Sequence, residues 1–88
     1  DYDIDELKQL IDLRMNQSNF ILIEDAKERF YKYIEKEKQL GNVDGNGRWI
    51  RNVVDKIKMN QANRLVKVAP SKLNEELKII RLDDVINL

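Results

Sequence analysis

The 88-residue sequence contains no cysteine and no histidine. The first absence removes disulfides and thiolate metal sites, and the second removes the commonest general base and metal ligand. Most familiar catalytic schemes are thereby excluded, and no metal site is expected. Glycine is scarce, at three residues, and there is a single proline, which argues against a flexible linker or a collagen-like repeat. A net charge is missing too. Sixteen Lys and Arg balance sixteen Asp and Glu, so no net field draws nucleic acid or anionic lipid to the surface. No apolar run approaches the roughly 18–20 residues needed to cross a bilayer, and Asp1-Tyr2-Asp3 is the opposite of a basic signal peptide. The expectation is a cytoplasmic chain with neither a membrane nor a nucleic acid as partner.

What is present favours helix. Hydrophobic residues at 42% and charged residues at 36% suit one small amphipathic helical domain spanning 1–88. A chain this short buries only about 60% of its unfolded surface, so the core is modest. Asp3 and Glu6 form a capping-box-like start, and Ile4, Leu7, Ile11 and Met15 recur at helical spacing, predicting a helix over 3–16. Gln17-Ser18-Asn19 breaks it, and Phe20-Ile21-Leu22-Ile23 reads as a short buried strand. Glu24-Asp25 opens a second helix with acid at its positive end. Ala26, Phe30, Tyr33, Ile34 and Leu40 carry its apolar stripe until Gly41 stops it.

Asp44-Gly45 and Asn46-Gly47 are successive turn signals, which make 42–47 a loop. From 48 to about 66 the apolar Trp49, Ile50, Val53, Val54, Ile57, Leu65 and Val66 fall mainly on one face, opposite Arg48, Arg51, Asn52 and Asp55. A short helix from Ser71 to about Lys78 follows Pro70, and Ile79-Ile80-Arg81-Leu82 repeats the strand-like composition of 20–23. Each apolar run is followed by an acidic pair and an apolar residue: Glu24-Asp25-Ala26, then Asp83-Asp84-Val85. The expected fold is mainly α, a small bundle of about four helices, with two very short strands near 20–23 and 79–82 able to pair in parallel.

Arg48 departs from ordinary helix grammar, because a helix N-terminus carries partial positive charge and normally recruits acid. That same end offers free backbone N–H groups, so an arginine entered through Asn46-Gly47 suits an anion, phosphate first among them. Local grammar alone favours the plainer reading, an ion pair between Arg48 and an acid such as Asp44. Arg51 stands four residues before Asp55, where an i, i+4 pair accounts for it, and Asn52 shares their polar face. Trp49 reads as a core anchor. Tyr31 and Tyr33 read as core beside the solvated run Glu35-Lys36-Glu37-Lys38, and Gln61, Asn63 and Arg64 as a solvated patch near a helix C-terminus. Adjacent acids such as Glu75-Glu76 do not converge on one substrate atom, and no Gly-Lys-Ser or Gly-Lys-Thr loop cradles a phosphate.

The stretch Gly45-Asn46-Gly47-Arg48-Trp49-Ile50-Arg51-Asn52, with Asp55-Lys56 and Asn60-Gln61-Ala62-Asn63-Arg64-Leu65, resembles the C-terminal lid of the CbxX/CfqX branch of AAA+ ATPases. That branch includes proteins similar to stage V sporulation protein K, ESX secretion ATPases and red-type Rubisco activases. Asp1-Tyr2 with Glu6-Leu7 also resembles the segment joining the large ATPase domain to the lid. The resemblance implies that the chain is a fragment of a longer one. Arg48 is then the sensor-2 arginine that reaches the γ-phosphate of ATP, with Gly47, Arg51 and Asn52 supporting it. It also implies Mg-ATP held by a large domain of the same chain, neighbouring subunits in a hexameric ring, and a protein substrate to be remodelled. Gly47 is often Ala in this family, a departure that leaves the arginine in register. A free-standing helical interaction module that docks through its third helix is the competing expectation, and this chain alone is expected to be inactive.

Overall fold

The structure is a computed structural model that describes residues 2–43, 45 and 47–88. Five helices and two strands follow one another as α1 (Ile4–Gln17), β1 (Ile21–Leu22), α2 (Glu24–Gln39), α3 (Gly47–Leu65), α4 (Pro70–Glu76), β2 (Ile79–Ile80) and α5 (Leu82–Val85). The bundle of about four helices gains a fifth because the acid pair at 83–84 opens a further single turn. The molecule measures 44 × 23 × 21 Å, and α3 alone runs about 28 Å of that length at 1.5 Å per residue.

Local chemistry sets the ends of the first two helices. At α1 the Glu6 N–H donates to Asp3 Oδ1 at 2.8 Å and the Asp3 N–H donates to Glu6 Oε1 at 3.1 Å, a reciprocal cap. Both α1 and α2 close in the same way. Asn19 (φ 61°) and Gly41 (φ 75°) adopt the left-handed conformation. The next N–H then folds back, Phe20 onto the Met15 carbonyl and Asn42 onto the Glu37 carbonyl, each at 2.9 Å. Gly41 takes this conformation without steric cost, and Asn tolerates it better than most residues.

The core forms where the helical stripes meet. Leu7, Ile11 and Met15 of α1, Ala26, Phe30 and Ile34 of α2, and Ile50, Val53, Val54 and Ile57 of α3 are buried with Ile80 and Val85. Phe30, Tyr33 and Trp49 stack in series, with ring centroids 6.5 and 6.2 Å apart. The strands pair in parallel, Ile21 opposite Ile79 and Leu22 opposite Ile80. Strand then acid-capped helix therefore does occur twice, and α5 returns to pack on α2 and α3.

Four local expectations are corrected. The run 20–23 is not buried as a block: Ile21 is 59% exposed, because this short edge strand turns alternate side chains outward. Leu40 and Val66 are also exposed, each lying just past a helix end where no element covers it. The fourth helix starts at Pro70 and ends at Glu76, since proline at the first helical position sacrifices an N–H that has no partner there. The third begins at Gly47, one residue before the expected start.

Candidate functional site

Two polar regions lie on α3, one at each end. At the N-terminal end, the Arg48 N–H closes a turn onto the Gly45 carbonyl at 2.8 Å. Gly47, Arg48, Arg51 and Asn52 are all exposed, as is Asp55. The helical spacing of three and four residues puts Arg48, Arg51 and Asn52 on one face. Among the described residues Arg51 forms no ion pair with Asp55, so that local explanation of Arg51 does not hold. The alternative pairing of Arg48 with Asp44 lies outside the described residues, as does Asn46. A Cβ added at Gly47 would meet no heavy atom within 4 Å, so alanine fits this position.

Beside this helix start, Tyr2, Leu10, Leu13, Arg14, Gln17, Gly47 and Ile50 line a shallow cavity of about 150 Å³. Tyr2 and Leu13 are exposed there at 38% and 54%. Cavities that enclose drug-sized ligands run to roughly 300–1,000 Å³. The N–H groups of the first turn and the Arg48 guanidinium suit one edge of a phosphate, whereas the adjoining hollow is too small to hold a nucleotide. Among the described residues no cluster of acidic side chains is placed to hold a metal ion.

The C-terminal half of α3 overturns the expectation of a solvated patch. Gln61 is buried at 5% exposure and its amide donates to the Leu77 carbonyl at 2.9 Å and the Ile79 carbonyl at 3.1 Å. Arg64 reaches Glu76 Oε1 at 2.7 Å, Asp84 Oδ1 at 2.9 Å and the Ile79 carbonyl at 3.0 Å. Asp84 is wholly buried and takes a second bond from the Arg81 N–H at 2.9 Å, while Asn60 holds its carbonyl at 3.0 Å. Arg81 grips both oxygens of Glu76 at 2.6 Å each. These bonds from Arg81, followed by those from Arg64, pull the Glu76 carboxyl down to about 2. Burial alone pushes Arg64 down, but the carboxylates of Asp84 and Glu76 outweigh it and the net shift is upward. Asn63 does remain exposed. The reason for the difference is topological: α4, β2 and α5 fold back over this end of α3, which helical periodicity cannot reveal.

Comparison with known proteins gives the chain a family. The model of the AAA lid domain family matches residues 3–87. The chain belongs to the AAA lid domain family. It is also 29% identical over 87 residues to a protein named "Protein CfxQ homolog" from Pyropia yezoensis, covering 98% of this chain. The chain spans 29% of the length of that relative. The small helical bundle and the short parallel ladder expected from the sequence are both present in the structure. Among the described residues no helix is long and apolar enough to cross a membrane.

Sequence reasoning missed two surfaces of this lid. The first is the cavity beside the start of α3, which α1 completes through Leu10, Leu13, Arg14 and Gln17. The second is a groove between α2 and α5 lined by Arg29, Lys32 and Lys36. The i, i+3, i+7 spacing of those three cations was the available signal, obscured by the alternating charges that follow.

Proposed function

We propose that this lid is attached to a large AAA+ domain of the same chain and couples its nucleotide state to remodelling of a protein partner. Arg48 is the residue that senses the nucleotide. The observation that carries this reading is an arginine exposed on the first turn of α3, where helix electrostatics would favour acid, in a chain of the AAA lid family. A guanidinium at that place interacts more strongly with a triphosphate than with a diphosphate and released phosphate, so lid orientation can follow hydrolysis. Arg51 and Asn52 extend the same polar face. Gly47 leaves room for close approach.

The large domain supplies Mg-ATP and the groups that hold it. This chain supplies one phosphate contact and a docking face, for which exposed Tyr2 and Leu13 beside Gly47 are the apolar part. Neighbouring subunits complete a ring, a hexamer by family resemblance, in the cytoplasm.

The test is Arg48→Ala in the chain joined to its large domain. ATP turnover or its coupling to remodelling should fall while the lid keeps its helical spectrum and melting temperature. Unchanged turnover and unchanged remodelling would remove Arg48 from the role. The free-standing interaction module gains the lead if the encoding gene carries no ATP-binding domain upstream of Asp1.

A further inference from the structure

A second surface lies on the side of α2 that meets α5. Here Arg29, Lys32, Tyr33, Lys36, Leu40, Val85, Ile86 and Leu88, with Glu37, line a groove of about 350 Å³. Its side chains are uneven in charge: three cationic side chains face one acidic side chain in a chain whose side-chain charges sum to zero. That acid, Glu37, is already held by Asn42, whose side-chain amide donates to it at 2.9 Å. Arg29 donates to the Ile86 carbonyl at 3.3 Å, a contact that anchors the end of α5 without neutralising the charge.

Among the described residues none of the three cations joins an ion pair, although Glu35 of the same helix pairs with Lys8 of α1. Lys32 and Lys36 stand four residues apart, a like-charge spacing that disfavours the helix. Glu28, four residues before Lys32, is well placed to relieve that repulsion and does not pair with it. The apolar half of the groove is also uncovered: Leu40 is 60% exposed and Ile86 41%.

We infer that this groove binds an acidic, amphipathic peptide segment of another protein, its apolar side chains on Leu40 and Ile86 and its carboxylates on Lys32 and Lys36. Charge complementarity selects an acidic occupant, and the apolar floor selects a peptide over a nucleic acid, whose phosphates have no use for Leu40 or Ile86. A flat membrane surface does not enter a groove. The surface is distinct from the Arg48 face, so its failure would leave the nucleotide reading untouched.

The experiment titrates the isotope-labelled 88-residue chain with a synthetic helix-forming peptide that carries Leu on one face flanked by Glu. A second peptide has every Glu replaced by Lys. The acidic peptide should shift resonances of α2 from Arg29 to Leu40 and of Ile86 to Leu88. Its affinity should drop at least about tenfold in the double variant Lys32→Glu, Lys36→Glu, the size expected for loss of two charge contacts, and should weaken with salt. Both lysines are exposed, so the variant should keep its melting temperature. Absence of binding, equal binding of the Lys peptide, or shifts confined to another face would overturn the inference. So would a concentration-dependent dimer of the chain itself that the double variant abolishes, because that result gives the groove to a second copy.

Discussion

Two arginines on one helix have opposite fates. Arg48, at the start of α3, is exposed to solvent, whereas the Arg64 side chain, four turns later, is 16% exposed and bound to two carboxylates and a carbonyl. The helix is the same and the residue type is the same. What differs is the chain folded over each: α4, β2 and α5 supply the partners of Arg64, whereas the Arg48 side chain is left exposed. Surplus charge left on the surface at one end can act on something outside the chain. At the other end charge is consumed in holding three short elements that could not stand alone. A helix of seven residues, a two-residue ladder and a single turn have too few internal bonds to persist without such a clamp.

The contrast breaks most sharply at Arg64. Arg64→Ala should destabilise the chain by about 3–5 kcal/mol, because it leaves the wholly buried Asp84 carboxylate without its cation. Urea denaturation measures this directly, and a change below the midpoint of ordinary surface substitutions would show that water replaces the guanidinium. Gln61→Leu comes next. It keeps the volume but takes the side-chain donor from the Leu77 carbonyl and leaves the Ile79 carbonyl to Arg64 alone, and should cost about 1–3 kcal/mol.

Acid should loosen the same clamp. The Glu76 carboxyl titrates at about 2 in the fold, below the ordinary glutamate value of about 4.3, so the unfolded chain takes up the proton first as pH falls. The stability that Glu76 contributes is therefore complete above the ordinary value and declines as pH drops from there toward 2. Melting temperatures of the chain and of Glu76→Gln, compared across that interval, should converge at the acid end; a constant gap would mean that the arginine bonds do not set the shift. The smallest expected change in stability is at the other end of α3. Arg48→Ala should move stability by no more than about 0.5 kcal/mol, as for a surface residue, and a larger loss would assign Arg48 a structural role in place of nucleotide sensing.

Much of this fold was legible because its signals are local. The Asp3 and Glu6 cap, the stop at Gly41, and the stripes Leu7-Ile11-Met15 and Ile50-Val53-Val54-Ile57 each depend on neighbours a few residues away. The repeated pattern of apolar run and acid pair even anticipated the parallel ladder. Arg48, Arg51 and Asn52 were found through motif and spacing, and their exposure agrees with the polar face read from the sequence. Gln61 and Arg64 were misread as solvated, and the acid pair at 83–84 was placed at a helix start without the burial of Asp84 being legible. The side-chain partners of Gln61 and Arg64 lie 12 to 20 residues away, beyond any helical period.

The sequence by itself determined where the long helices run, which stripe of each is apolar, and that an arginine stands at the start of the third, because propensity, capping and periodicity act over one or two turns. Only the tertiary structure decided which polar residues are spent in the fold and which are left to act. A side chain's solvent exposure is set by the elements that close over it. For Arg64 and Gln61 those elements come from the far end of the chain, and their closure, which buries Asp84 of α5 against Arg64, takes the charge out of water and makes its pairing obligatory.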